Sequence, residues 1–228
     1  MTVETVVSAL ALPPDCRVDR RVPKTLWPSE LREAVETDIA ELRWLAVLKP
    51  ANTGVPAGPE VLELQVIAAA LAPAAKPARA AQRLHRAVPY PVVLVLQQQT
   101  SIALSLVTGP DDPITCSLDD DQCTADWLAT LGLAHQPRTT LATVYAAWVA
   151  ALEALRAARI TGHLDPPAAA PAGAAARRQA LADHDRLERE IARLRAQAAK
   201  EKQIGRRAEM NLRLQRLQSE FAAARAKL

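Results

Sequence analysis

Residues 91–107 read PVVLVLQQQTSIALSLV and predict a β-hairpin that contains one central strand. Residues 92–97 are almost wholly apolar, which is typical of a strand that is buried on both faces of a sheet. Residues 101–108 alternate apolar and polar side chains, as expected of a strand with one buried face. The pattern therefore places a sheet at the centre of the predicted fold.

The segments before this hairpin extend it into a mixed sheet with helices. Residues 28–42 repeat apolar side chains at helical spacing, and residues 43–48 and 61–71 predict two strands. Residues 74–87 predict an Ala-rich helix. The order helix, strand, strand, helix, strand, strand indicates an α+β fold with a small mixed or antiparallel sheet of four to five strands. The predicted core residues are Trp44, Tyr90, Val93 and Leu94.

After the hairpin the sequence predicts a loop, two helices and a linker. Residues 109–121 are acidic and predict the loop, and residues 124–133 and 139–159 predict the helices. Residues 163–176 are rich in Pro and Ala, a composition that is typical of a linker. The predicted division is an α+β domain over residues 1–162, this linker, and a basic helical tail over residues 177–228.

Composition and charge narrow the class of protein. The chain has 228 residues, is 50% apolar and carries a formal net charge of +3. Residues 174–228 hold 14 Lys and Arg against 7 Asp and Glu, so the tail is basic and the remainder is mildly acidic. The odd number of cysteines argues against a disulfide framework. With no apolar run long enough for a membrane span and no secretory leader, we expect a cytoplasmic bacterial protein.

The tail contains two apolar stripes at coiled-coil spacing, over residues 187–198 and 214–228. The stripes do not share a phase, and a polar segment with Gly205 separates them. Two structures fit this pattern: one long coiled-coil-like helix with a phase shift, or a helical hairpin that reverses near Gly205. An isolated amphipathic helix is marginal in water, so its stripe must pack on the tail itself, on a second copy or on a partner. The predicted partner contacts are Ile191, Leu194, Leu214, Leu217 and Phe221.

The basic side chains of the tail have two interpretations. They could bind the phosphates of a nucleic acid, or they could form the solvated face of an Arg-rich helix. The absence of aromatic side chains among them favours the solvated face, because single-strand binding relies on base stacking. The candidate nucleic-acid contacts are Lys200, Lys202, Arg206, Arg207 and Arg213.

Familiar catalytic patterns are missing from the sequence. It contains no phosphate-binding P-loop and no Gly-x-Ser-x-Gly nucleophile turn. Cys116 and Cys123 lack a second ligand pair, so no zinc site is predicted. The four histidines are scattered along the chain. We therefore expect no catalytic residues, no metal and no cofactor.

One alternative is a metal-dependent nuclease, active or degenerate. Glu63 and Gln65 lie in a predicted strand, and Asp38 and Glu41 lie in the preceding helical segment. Nucleases of the PD-(D/E)xK type have a similar helix–strand–strand order and bind a divalent metal through carboxylates on adjacent strands. In this chain glutamine occupies the position of their lysine.

Several short segments together resemble a bacterial family of domains of unknown function, number 4391. The matching segments are RVPK at 21–24, DIAELRW at 38–44, LELQV at 62–66, AVPYP at 87–91, and KEKQ at 200–203 together with Asn211. The chain departs from the family pattern in the loop at 53–59 and in the Ala-rich helix that follows Leu71. The resemblance transfers no catalytic residues to this chain.

The resemblance implies a prokaryotic protein encoded beside SNF2-like helicases and DNA methyltransferases in anti-phage or restriction-like systems. Combined with the missing catalytic patterns, it leads us to expect a non-catalytic accessory or adaptor subunit. The expected partner is a helicase or a DNA methyltransferase, with DNA as a further partner of the tail. A homodimer formed through the tail is a third hypothesis.

Overall fold

A six-stranded sheet forms the centre of the first of two units, which spans Met1–Leu155. The computed structural model describes residues 1–27, 38–107, 113–165 and 171–228. The strands are β1 Arg17–Arg21, β2 Ile39–Leu48, β3 Leu64–Leu71, β4 Val92–Gln98, β5 Ser101–Val107 and β6 Pro113–Leu118. They lie side by side in chain order, and every neighbouring pair is antiparallel except β3 and β4. This arrangement confirms the α+β class.

Helices cover the sheet and connect its strands. Within the described residues the α-helices that begin in this unit are α1 Val3–Ala9, α2 Pro50–Thr53, α3 Pro77–Ala87, α4 Gln122–Leu128 and α5 Leu141–Thr161. The parallel pair β3–β4 needs a crossover connection, which α3 supplies. Ala80, Ala81 and Leu84 of α3 are buried in one cluster with Leu94 and Leu96 of β4. The small alanines let the helix lie close to the sheet.

Helix α5 is long and apolar enough to cross a membrane by length and composition alone. Its apolar side chains are instead buried in the protein, including Leu141, Val144 and Trp148. The indole N–H of Trp148 donates a hydrogen bond to the Leu131 carbonyl at 2.8 Å. This burial is that of a core helix in a folded domain.

The second unit, Arg156–Leu228, contains a helical hairpin made of α6 Pro171–Lys200 and α7 Ile204–Arg225. The two helices run antiparallel, because Glu190 of α6 pairs with Arg213 of α7 at 2.7 Å and His184 packs on Phe221 with ring centroids 4.4 Å apart. Of the two structures that fit the tail sequence, the chain adopts the hairpin. The reversal occurs over residues 201–203.

Three elements differ from the sequence predictions. Besides the four strands predicted with bounds, the sheet contains β1 and also β6, which lies within the predicted loop at 109–121, so it has six strands instead of four to five. Strand β2 begins at Ile39, inside the predicted helix at 28–42, because residues 39–42 pair with the end of β3. Residues 28–37 and 108–112 lie outside the described residues.

Helix α6 begins at Pro171, inside the segment 163–176 that was predicted to be a linker. Proline is well tolerated in the first turn of a helix, and alanine has the highest helix propensity of all residues. The same composition that suggested a linker therefore suits a helix start. Residues 166–170 of that segment lie outside the described residues.

Candidate functional site

An open cleft of about 410 Å³ lies on the sheet of the first unit, beside the end of α3. Its floor includes Trp44 of β2 and Ile67 of β3, which are cross-strand neighbours. Residues 87–90, at and just after the end of α3, line it together with Val22. We call this surface the Trp44 cleft. Most of its lining is apolar or aromatic, and Glu63 and Gln65 add polar groups.

An ion pair stands where β2 ends and β3 begins. Leu48 pairs with Leu64 at the ends of these antiparallel strands, which brings the next residue, Lys49, beside Glu63. The Lys49 ammonium lies 2.9 Å from one carboxylate oxygen of Glu63. The amide of Gln65 donates a hydrogen bond to the other oxygen at 2.6 Å. Both oxygens of this carboxylate are therefore occupied, and its hydrogen bond and charge raise the pKa of Lys49.

Two aromatic side chains give the Trp44 cleft its binding potential. The Trp44 indole N–H is buried and has no hydrogen-bond acceptor among the described residues. Tyr90 was predicted to lie in the core but is 45% exposed, since prolines on both sides keep it between α3 and β4. Val93 and Leu94, by contrast, are buried as predicted. The exposed ring of Tyr90, beside the half-buried ring of Trp44, is a suitable surface for a bound ligand.

A family model for a domain of unknown function, DUF4391, matches residues 10–221. The chain belongs to the DUF4391 family. This match confirms the resemblance seen in the sequence, although it does not test the genomic neighbourhood that the resemblance implies. No curated protein and no solved structure matches the chain.

The segments that carry the DUF4391 resemblance meet at the Trp44 cleft. Four of the five contribute to its lining, through Val22, Trp44, Glu63 with Gln65, and residues 87–90. These segments are far apart in the chain, and the pairing of β2 with β3 and the crossover to β4 bring them together. The cleft is therefore our candidate functional site of this DUF4391 protein.

The three carboxylates of the nuclease alternative are each held by a different basic side chain. Asp38 lies 2.8 Å from the Arg83 guanidinium, and Glu41 lies 3.3 Å from that of Arg21. Neither arginine is a partner of Glu63, whose cation is a lysine from another part of the chain. Each acid therefore belongs to a separate ion pair.

The strand register explains this separation. Glu41 of β2 lies opposite Ala70 at the end of β3, whereas Gln65 at the start of β3 lies opposite Val47. Six residues of extended chain separate the two positions, or roughly 20 Å. Asp38 and Glu41 are therefore not brought to Glu63 and Gln65. Across the described ranges, no group of three metal-ligating side chains includes Glu63.

One group of three such side chains lies on α6 and consists of His184, Asp185 and Glu188. Arg156 forms an ion pair with Asp185 and brings positive charge to the group, which opposes a bound cation. His184 is buried against Phe221. These contacts indicate a structural role for the group within the second unit.

The apolar stripes of the tail cover one another. The predicted partner contacts of the tail lie between α6 and α7, buried or half-buried in one cluster: Ile191, Leu194, Leu214, Leu217 and Phe221. Packing of α6 against α7 therefore buries the apolar stripes, as the sequence analysis required. That a partner binds these residues stays a prediction.

The candidate nucleic-acid contacts separate into two groups. Arg213 is engaged with Glu190. The other four, Lys200, Lys202, Arg206 and Arg207, are exposed around the reversal of the hairpin.

Sequence reasoning missed Lys49 and the exposure of Tyr90. The prolines around Tyr90 were the available signal, since they exclude it from both a helix and a central strand.

Proposed function

We propose that this DUF4391 protein is a non-catalytic accessory subunit that binds a protein partner in the Trp44 cleft. One observation carries the proposal: the carboxylate in this otherwise apolar cleft is already neutralised by Lys49 and hydrogen-bonded by Gln65. Such a group orients its neighbours and contributes to specificity. It is not arranged to hold a metal.

The same observation disfavours the nuclease alternative. Metal-assisted hydrolysis of a phosphodiester needs a divalent cation held by several oxygen ligands, usually more than one carboxylate. Here the side chain paired with Glu63 is a lysine, and among the described residues no second carboxylate joins it in a metal-ligating group. An ammonium at that distance repels a divalent cation.

A protein partner fits the cleft because its lining combines the exposed ring of Tyr90 with the half-buried ring of Trp44. Tyr90 in the lining is 45% exposed, and Leu62, which precedes Glu63, is 66% exposed. Aromatic anchors and well-packed pockets contribute most of the binding energy in protein interfaces.

The resemblance to DUF4391 supplies the class of partner in this proposal. An SNF2-like helicase or a DNA methyltransferase of an anti-phage system would present the segment that enters the cleft. The protein would act in the cytoplasm. The interaction would be direct and would need no cofactor of this chain.

The test is binding between the full chain and each helicase or methyltransferase encoded beside its gene. Tyr90→Ala removes an exposed ring of the cleft lining and Leu62→Ala removes an exposed side chain next to the lining residue Glu63, and each is expected to weaken binding at least about tenfold. Leu212→Ala is the matched control, since Leu212 is also exposed, at 59%, but lies on α7 of the other unit. Equal affinity of wild type and the two cleft variants would refute the proposal.

A second assay addresses catalysis. Plasmid DNA incubated with the pure protein and Mg²⁺ or Mn²⁺ is expected to remain intact. Cleavage that disappears in Glu63→Ala would establish the nuclease alternative and overturn the non-catalytic assignment. Sedimentation of the full chain tests the homodimer, and a dimer that excludes the partner would contradict the adaptor role.

A further inference from the structure

We infer that the apex of the helical hairpin is a contact surface for double-stranded DNA, with Ile204 as an apolar contact among phosphate-binding cations. The hairpin apex is defined as residues 200–207, which comprise the end of α6, the reversal and the first turn of α7. It belongs to the second unit and contains no residue of the Trp44 cleft. The inference therefore stands apart from the proposed function.

Unpaired positive charge is concentrated at the hairpin apex. Lys200, Lys202, Arg206 and Arg207 are all exposed, and none forms an ion pair with another described residue. The single carboxylate of the apex, on Glu201, accepts the backbone N–H of Gln203 at 2.8 Å. Four free cations in eight consecutive residues are therefore directed to solvent.

The remainder of the second unit strengthens this positive field. Arg156–Leu228 holds 16 Lys and Arg against 8 Asp and Glu, a net charge of +8. Along the two helices, several arginines are paired with acids, as Arg213 is with Glu190 and Arg186 with Asp183. A polyanion is therefore attracted to the unit as a whole, and the apex provides cations that lack a partner.

Ile204 adds an apolar contact to this cationic surface. It begins α7 and is 76% exposed, although it is a large apolar side chain. Its neighbour Gly205 faces open space: apart from its chain neighbours and the local helix backbone, no heavy atom lies within 4 Å of where a Cβ would lie. The apex is thus uncrowded around Ile204. DNA-binding proteins use such side chains against thymine methyl groups or as wedges between base steps.

Double-stranded DNA fits the hairpin apex better than a single strand does. Single-strand binding relies on aromatic side chains that stack on bases, and residues 200–207 contain none. Backbone phosphates of a duplex need only well-placed cations. Two packed helices lie about 8–10 Å apart, and the major groove is about 12 Å wide, so the cations of the apex can reach phosphates along its edge.

The experiment measures binding of the full chain to a fluorescent duplex of about 30 base pairs over a series of KCl concentrations. Each neutralised phosphate contributes about 0.9 to the slope of log K against log salt, so four contacts predict a slope of roughly −3 to −4. Arg206→Gln with Arg207→Gln is expected to reduce that slope by about 2. This double variant also tests whether the hairpin apex itself binds the phosphates.

The matched control carries Arg225→Gln and Lys227→Gln. It removes the same charge at the opposite end of α7, about 30 Å from the apex. Its slope is expected to equal that of the wild type. An equal loss in both double variants would overturn the inference, because it would show attraction to overall charge instead of a site.

Ile204→Ala separates the apolar contact from the charges. It is expected to lower affinity several-fold at every salt concentration without changing the slope, because it releases no counterion. An unchanged affinity would refute the role of Ile204. Tighter binding to single-stranded DNA or to phosphatidylserine vesicles, or no duplex binding at 50 mM KCl, would refute the choice of ligand. Tyr90→Ala should leave DNA binding unchanged, so this test and that of the Trp44 cleft fail independently.

Discussion

Mild acid is expected to destabilise this fold through His85, a histidine on α3. Its Nε2 atom lies 3.1 Å from the hydroxyl of Ser105 on β5, which is itself fully buried. The Thr115 hydroxyl of β6 donates to the same Ser105 oxygen at 3.0 Å. Burial lowers the pKa of His85 to about 4, although the Ser105 contact acts in the opposite direction.

The sign of the effect follows from the proton balance between the two states. Between pH 6.5 and 4 the imidazole is protonated in the unfolded chain but neutral in the fold, so unfolding takes up a proton. The contribution of His85 to the free energy of unfolding is therefore fully present above pH 6.5 and decreases as the pH falls toward 4. One proton over this interval gives a total of roughly 3 kcal/mol, of which about 2 kcal/mol is lost between pH 7 and pH 5.

Urea denaturation of the wild type and of His85→Gln at pH 7 and pH 5 measures this loss. Glutamine retains a hydrogen-bonding group for Ser105 but does not titrate, and the other histidines contribute equally to both proteins. The wild type should lose about 2 kcal/mol more than the variant between the two pH values. If both proteins lose the same stability, within about 0.5 kcal/mol, His85 is not buried in its neutral form and the reasoning is wrong.

Three further predictions concern other parts of the chain. Tyr145→Phe should cost about 1–3 kcal/mol in urea denaturation, because the hydroxyl accepts a backbone N–H of β5 and donates to a carbonyl of β4. Burial raises the pKa of Tyr145 to about 12, so the wild type should lose stability between pH 10 and pH 12 that Tyr145→Phe does not lose, because the phenol ionises first in the unfolded chain; equal losses in both proteins would contradict that environment. Leu217→Ala should destabilise the hairpin by about 2–4 kcal/mol, seen as earlier loss of helical circular dichroism, whereas Leu212→Ala should change stability by less than about 0.5 kcal/mol. Lys49→Asp places a second carboxylate beside Glu63 and should create Mn²⁺ binding by calorimetry that the wild type lacks; equal heats from both proteins would contradict the role given to Lys49.

The central hairpin was predictable because its signal is local. The apolar run at 92–97 and the alternation from residue 101 correspond to β4 and β5, and their burial follows the pattern of the side chains. The two stripes of the tail were equally visible, since helical spacing is a property of neighbouring residues. The polar break between the stripes was visible too, but it was compatible with either a hairpin or a single helix.

The edges of the sheet were not predictable in the same way. Strand β6 lies in a segment that reads as an acidic loop, and only pairing of Thr115 and Cys116 with β5 identifies it as a strand. Residues 39–42 carry helical spacing but join β2, because the end of β3 offers them backbone partners. Strand formation depends on a partner elsewhere in the chain, which a local pattern does not contain.

The sequence by itself determined the class of fold, the basic tail with its apolar stripes, and the family, because composition, periodicity and short motifs are local properties. Only the tertiary structure decided that the stripes close on each other and that Asp38 and Glu41 lie far from Glu63. It also placed Lys49 against Glu63 and left Ile204 exposed at a hairpin apex. The physical reason is that strand register and helix reversal set which distant residues become neighbours, and those neighbours determine what each side chain can do.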